Sequence, residues 1–315
     1  MPFFSVIIPL YNKDKYVENT LKSILNQTFT DYEILIINDC TTDKSVEKVK
    51  PFLSENIKLI EHSENKGLSA ARNTGIKNAA SNYITFLDAD DLWKPHFLET
   101  IHKLIIDFPE AGIFATNYEE IYNSKIANPH NHAENLTKDS SQIIDFFKYN
   151  LGQGIYNHGS VCFHKKVYQT VGFYDENIDF SEDLDFNIRA NAAFKLAFCN
   201  TVGMSYFMQT DNQLTRSSIL NKRLPYYDKY DVFAKGNDSF QKYLAFERYV
   251  LAKHIKTDGD YELYKKISSK IDFDQLNFKQ KILLKLPVFM LKSIQKIKGI
   301  LSKKGMKVTS YSRMK

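Results

Sequence analysis

Cysteine is scarce in this chain and long apolar runs are absent. Three cysteines, Cys40, Cys162 and Cys199, stand far apart among 315 residues, with no CxxC pair. An odd number at such spacing argues against a disulfide framework or a zinc site. It predicts three reduced thiols in a reducing compartment. No apolar run reaches the length of about 18 residues that a spanning helix needs. The N-terminal "MPFFSVIIPLYN" lacks a basic leader and a small-residue cleavage site, so it reads as a buried strand and not a signal peptide. Together these features predict a cytoplasmic protein.

Acidic residues are missing from one end. No Asp or Glu follows Asp274, whereas eleven of the 42 Lys and Arg residues lie from Lys279 onward. The remaining 31 bases face 37 acids, so a body of about −6 carries a tail of +11. An acidic body argues against a nucleic-acid-binding core, and the tail points to an anionic partner of its own.

Glycine-rich phosphate loops are absent too. No GxGxxG follows the first apolar run and no GxxxxGK[ST] occurs, which excludes a dinucleotide fingerprint and a P-loop. Any nucleotide must then be held by side chains and a metal. There is also no Ser/His/Asp or Cys/His constellation for covalent catalysis.

What is present alternates. The runs "FSVIIPL" (4–10), "EILIIND" (33–39), "IKLIEHS" (57–63), "YITFLD" (83–88) and "AGIFATNYEEIY" (111–122) read as strands. Between them, 13–27, 43–53, 68–80 and 95–108 read as helices. This order predicts an α/β fold: a mostly parallel, Rossmann-like sheet covered by helices on both faces. Such sheets bind ligands beyond the carboxyl ends of their strands. "PLYN", "NDCTTD" and "DADD" occupy three of those ends and predict a polar ligand rim.

The densest charge is "DADD". Asp88 and Asp90 leave on one face if the strand continues, or straddle a turn if it bends. Either way their repulsion raises a pKa unless a cation intervenes. Hard carboxylate oxygens suit Mg²⁺ or Mn²⁺, which complete their shells with phosphate oxygens. Asp91, before "LWKPHFL", reads as a helix-start acid.

Five segments, "SVIIPLYN", "NDCTTDKS", "NKGLSAARNTGIKNA", "YITFLDADD" and "FSEDLDFNIR", in this order, resemble glycosyltransferase family 2, inverting enzymes of the GT-A fold. The resemblance covers about residues 3–217. It implies transfer of a hexosyl or N-acetylhexosaminyl group from a UDP-linked donor, with Mn²⁺ or Mg²⁺ as cofactor. By the same resemblance, Pro9 and Asn12 border the base and Asp39 is the uracil-binding acid. Arg72 lies near the base or diphosphate, Asp88 and Ala89 line the donor, and Asp88 and Asp90 hold the metal. Asp183 is the catalytic base with Glu182 beside it, and Arg189 lies within reach of that pair. Asp185 points away and reads as structural. From the residues alone, Ser181, Glu182 and Asp183 would read as a capped helix start.

The chain departs from the family pattern at Cys40, where Gly is common. It departs also in "YFMQTDNQLTRSS" (206–218), where Met208 replaces a common Arg and Thr210 a common His. Gln209, Thr210 or Arg216 could substitute. His130 and His132 read as a solvated loop, and His158 as packing or surface. Trp93, Tyr156 and Phe180 read as core, with sugar stacking as the alternative.

The expected organisation is a GT-A domain over 1–218, with a nucleotide half to about 122 and an acceptor half over 123–218. A helical extension (219–278) and a basic amphipathic tail (279–315) follow. The tail repeats Leu283, Leu286, Met290, Ile294, Ile297 and Leu301 at helical spacing opposite its lysines, with Pro287 splitting it. It predicts contact with an anionic membrane, bringing a peripheral enzyme to a glycan or lipid-linked acceptor in cell-surface polysaccharide synthesis. The alternatives are a degenerate sugar-nucleotide-binding or membrane-binding module and, by fold, a nucleotidyltransferase.

Overall fold

The computed structural model describes residues 1–122, 125–127, 136–137, 139–152, 154–208, 210–211, 219–220 and 222–303. His130, His132, Gln209 and Arg216 lie outside the described residues.

Among the described residues, ten strands form one sheet. They are β1 (Phe4–Leu10), β2 (Tyr32–Asn38), β3 (Ile57–Glu61), β4 (Tyr83–Phe86), β5 (Leu92–Trp93), β6 (Ile113–Tyr122), β7 (Lys125–Ala127), β8 (Ser141–Ile144), β9 (Val161–His164) and β10 (Leu196–Phe207). The spatial order is β3-β2-β1-β4-β9-β6-β10-β5, with β7 on β6 and β8 on β10. The first four strands are parallel, and β6 and β10 are parallel to each other. Between these blocks β9 runs antiparallel to both β4 and β6. The sheet is therefore mixed, with its parallel half at the N-terminal side.

Helices α1 (Val17–Leu25), α2 (Ser45–Val49), α3 (Leu68–Asn78) and α4 (Phe97–Asp107) are the crossovers the alternation predicts. Alternation along β1 divides the core. Ile7 joins one buried cluster, while Val6 and Ile8 join the other on the opposite face. Helix α3 comes unusually close to β1, because Gly75 faces Ile7 with no room for a β-carbon. That approach lowers the α3 residue Arg72 onto the end of β4.

The remaining helices are α5 (Phe146–Tyr149), α6 (Lys165–Val171), α7 (Glu182–Ala193), α8 (Asp231–Ala234), α9 (Asp238–Asp258), α10 (Tyr261–Ser268), α11 (Phe278–Lys285) and α12 (Val288–Lys303). Helix α9 is the spine of the C-terminal part. Its Phe240, Tyr243, Leu244, Leu251 and Ile255 share one apolar cluster with Phe86, Phe163 and Phe186 of the sheet side. Phe240 stacks on Phe147 at 3.9 Å. The helical extension is thus continuous with the core of the sheet.

Pro287 does split the tail, and the break resets its phase. The buried positions are Leu284 and Leu291, not Met290 and Ile297 of the expected stripe. The last turn of α11 is tied down where Lys256 Nζ and the Tyr264 hydroxyl both donate to the Leu284 carbonyl, at 2.6 and 3.0 Å. Helix α12 docks through Leu291 and leaves Phe289, Met290, Ile297 and Ile300 exposed beside Lys292 and Lys296.

Candidate active site

The three polar strand ends are neighbours, because β2, β1 and β4 are adjacent in the sheet. The β1 end is locked onto the β2 loop. Asn12 donates its amide to Thr41 Oγ1 at 2.6 Å, and its Oδ1 accepts from the Thr42 amide at 2.8 Å. The Lys13 amide donates to Ser45 Oγ at 2.8 Å. Pro9 lies inside β1, buried, where it pairs with Ile37. Asp39 is buried and holds the loop before α3, accepting from the Lys66 and Gly67 amides at 2.8 Å each and lying 2.7 Å from His62 Nδ1.

Among the described residues, four non-glycine residues have positive φ: Asn12 (52°), Cys40 (61°), Asp139 (62°) and Ser181 (61°). Three of them border this rim. Strain of this kind gathers at sites the surrounding structure must over-determine. It also explains position 40: the turn there is left-handed, the conformation for which glycine is favoured. Ser181 occupies the start of α7 but makes no side-chain cap. Its left-handed backbone turns the chain so that Glu182 points at α3.

"DADD" forms a turn, with the Asp91 amide donating to the Asp88 carbonyl at 3.0 Å. Asp88 keeps about a third of its side chain open (35%). Enclosure by protein raises its pKa, Asp90 and Glu182 raise it further, and Arg72 opposes them. Ala89 is buried beneath the turn. Asp90 Oδ2 takes the Lys13 ammonium at 2.7 Å and the Thr210 hydroxyl. Thr210, at the position where a His was expected, therefore does sit at this corner. Asp91 caps no helix: α4 begins six residues later at Phe97. It is 1% exposed and its Oδ1 accepts from the Phe207 amide at 3.0 Å, so it ties the end of β10 to the turn. Burial holds its carboxyl well above the usual range.

Arg72 joins this corner to α7. It is buried, donates from Nη1 to Glu182 Oε1 at 2.8 Å, and lies 3.6 Å from Asp88. Its guanidinium sits 5.4 Å from the Tyr174 ring centre. Arg189 does not reach the Glu182–Asp183 pair. It binds Asp185 at 2.9 Å and the Val171 and Phe173 carbonyls, which makes it an anchor for α7. Asp185 is structural as expected, shared by Arg189, Lys229 and Tyr230.

Asp183 is half-buried, and among the described residues its one hydrogen bond is from the Leu184 amide at 2.9 Å. Burial first, then Glu182, push its pKa up to about 6, against the pull of Arg72. A carboxylate with no ion-paired partner among the described residues, tuned toward neutrality, suits a general base. Around it stand side chains that sequence reasoning missed. Glu247 comes from α9 and Tyr227 from the segment before α8. Glu247 is 6% exposed and burial raises it to about 8, with Asp183 adding to the shift. On α7, Asn187 and Asn191 follow Asp183 at four-residue spacing, and each keeps a buried side-chain oxygen with no hydrogen-bond partner among the described residues. No motif marks α9; a Glu in an apolar helical face was the one available signal.

The other candidates are core. His158 is buried against Phe86 at 4.8 Å, lies 3.0 Å from the Tyr174 hydroxyl, and is held neutral by burial and then by Arg72. Trp93 donates to the Gly159 carbonyl at 2.6 Å and packs on Phe97. Tyr156 is buried and accepts from Asn191 at 3.0 Å. Phe180 packs beside His254.

The family model for glycosyl transferase family 2 matches residues 5–172, more than half of the chain. The chain belongs to glycosyltransferase family 2. It is 27% identical over 266 residues to the uncharacterized glycosyltransferase EpsJ of Bacillus subtilis, covering 82% of this chain and 74% of EpsJ. It is 34% identical over 122 residues to WfgD of Escherichia coli, a UDP-Glc:alpha-D-GlcNAc-diphosphoundecaprenol beta-1,3-glucosyltransferase, covering 39% of this chain and 48% of WfgD. The chain spans less than half the length of several curated relatives it matches. The crystal structure of S. aureus TarS 1–349 in complex with UDP-GlcNAc superposes with a TM-score of 0.62 at 15% identity. That match covers 96% of this chain and 92% of TarS 1–349, a likeness of fold. The chain carries a family 2 glycosyltransferase domain with the GT-A architecture.

Two carboxylates, those of Asp88 and Asp90, lie at the corner. Among the described residues no cluster of three or more His, Cys, Asp or Glu side chains forms a closed metal cage. That donor set fits Mg²⁺ or Mn²⁺, which commonly take one or two carboxylates and fill the remaining positions with substrate phosphate and water.

Proposed function

We propose that this chain is an inverting, metal-dependent glycosyltransferase that moves a sugar from a UDP-linked donor to a hydroxyl of a glycan or lipid-linked acceptor. The observation that carries the reading is the Arg72 bridge, which spans Asp88 and Glu182 with one side chain. It brings Asp88 close to the start of the helix that carries Asp183, which supports reading the two as donor corner and base.

Asp88 and Asp90 would hold Mn²⁺ or Mg²⁺, whose charge opposes that of a departing diphosphate. Asn12, Asp39 and the loops they fix form the floor for the nucleotide, with Pro9 behind them. Asp183 takes the proton of the acceptor hydroxyl as that oxygen attacks. One displacement needs one base and no covalent nucleophile, in keeping with inversion. Glu182 is engaged by Arg72 in an ion pair, which leaves Asp183 as the proposed base of the two.

A UDP-sugar and a lipid-diphosphate acceptor are both in keeping with the name of WfgD. The tail supports the same setting. Among the described residues no helix is long and apolar enough to cross a membrane. Helix α12 instead offers Phe289, Met290, Ile297 and Ile300 beside lysines, the composition of an interfacial helix. We place the enzyme peripherally on the cytoplasmic face of a membrane, in cell-surface polysaccharide synthesis. The division into a GT-A domain to residue 218, a helical extension to 278 and a basic tail belongs to the same proposal.

The test is incubation with a panel of UDP-sugars, Mn²⁺ and undecaprenyl-diphosphate-linked sugar acceptors, with release of UDP as readout. Acceptor-dependent UDP release from one donor is expected. No release from any donor, with or without metal, overturns the proposal.

A further inference from the structure

We infer that Lys13 is a tethered counter-ion that suppresses divalent-metal binding at Asp90 until a nucleotide diphosphate is present, an inference that rests on the donor and metal assignment above. The geometry is specific. Lys13 Nζ lies 2.7 Å from Asp90 Oδ2 and donates to the Asp211 carbonyl at 2.8 Å. Both members of the pair are largely withdrawn from water, at 13% and 12% side-chain exposure. The backbone beneath is fixed three times over: by Asn12 and Thr41, by the Lys13 amide on Ser45, and by the Asp14 amide on Asp43 at 3.0 Å. The ammonium is therefore aimed, not adventitious.

The charges make the consequence plain. Asp88 faces Arg72 and Asp90 faces Lys13, so both proposed metal ligands already have a cation. A divalent ion approaching Asp90 must work against a bonded ammonium a few ångströms away, which costs affinity. A diphosphate reverses the balance. It brings negative charge enough for the metal and the ammonium together, so metal and donor bind as a pair. Metal alone binds weakly, and a metal-charged site without donor is avoided. Lys13 is thus a positioning residue acting through Asp90.

The test is Mn²⁺ titration followed by the EPR signal of the free ion, with and without UDP. Compared are the wild-type chain, Lys13→Met, Lys13→Arg and Asp90→Ala, each checked for folding by thermal melting. Lys13→Met is expected to bind Mn²⁺ alone about ten-fold more tightly, the scale of one removed neighbouring charge. The gain in Mn²⁺ affinity on adding UDP should shrink with it. Lys13→Arg keeps the charge and should bind Mn²⁺ as weakly as wild type. If Lys13→Met does not fold, Lys13→Gln takes its place. Unchanged or weaker Mn²⁺ binding in the neutral variant overturns the inference, as does an equal gain in Lys13→Arg. Asp90→Ala separates the two proposals. Should it bind Mn²⁺ and UDP like wild type, the metal assignment itself fails. Should it lose metal while the neutral Lys13 variant is unchanged, the counter-ion role alone fails.

Discussion

Arg72 and Glu182 stand 110 residues apart in the chain and meet at 2.8 Å. The contact joins α3 to α7, the helix that carries Asp183. Both partners are buried, so removing one leaves an uncompensated charge. Arg72→Met should destabilise the protein by about 3–5 kcal/mol in denaturant unfolding. Adding Glu182→Gln should return part of that loss. A double variant no more stable than Arg72→Met would deny the coupling.

The proposed base, Asp183, predicts a pH dependence. Its raised pKa keeps it protonated below about 6, so kcat/KM should climb as pH rises through about 6 and then level off. The same shift has a cost in stability. Between the ordinary aspartate value near 3.8 and about 6, the folded chain binds the extra proton, so stability falls as pH rises across that window. Asp183→Asn removes the penalty. Thermal melting at pH 7 should find the variant more stable, on the order of 1–2 kcal/mol.

Glu247 predicts a second pH effect with the same sign. Its pKa of about 8 against an ordinary 4.5 makes the folded state lose stability as pH rises from about 4.5 to 8, and none beyond. Glu247→Gln should flatten the fall in melting temperature over that range. The difference should reach on the order of 2–4 kcal/mol at pH 8. Parallel melting curves for the two proteins would show that Glu247 is not buried as described.

The rim of the parallel half was legible because it is local. Apolar runs fix β1, β2 and β4, and Asn12, Asp39, Asp88 and Asp90 follow them directly in sequence. The pairing of Arg72 with Glu182 was not legible, since nothing in "AARN" says which acid it meets; the family pattern suggested Arg189, which is spent on Asp185. Asp91 was misread for a similar reason. A helix-start acid and an acid that accepts from a distant amide look alike in sequence, and the fold chose Phe207. The insertion of β9 between parallel blocks escaped as well, because a four-residue apolar strand carries no mark of direction. Glu247 lies on a helix with no motif, and its approach to Asp183 is a product of tertiary packing.

The tail separates into two faces with different expected roles. Phe289→Glu with Ile297→Glu changes exposed positions, at 70% and 56% exposure, and should leave the melting temperature within about 1 °C while reducing sedimentation with anionic liposomes. Leu291→Ala opens the buried face against α9 and should lower stability by about 2–3 kcal/mol. Liposome binding that ignores the double Glu change would remove the membrane role.

The most direct test of the catalytic account is Asp183→Asn measured twice, for UDP-sugar binding with Mn²⁺ by calorimetry and for transfer to acceptor by UDP release. The account predicts donor binding equal to wild type and transfer reduced by about 10²–10⁴-fold. Transfer at a near wild-type rate would contradict it.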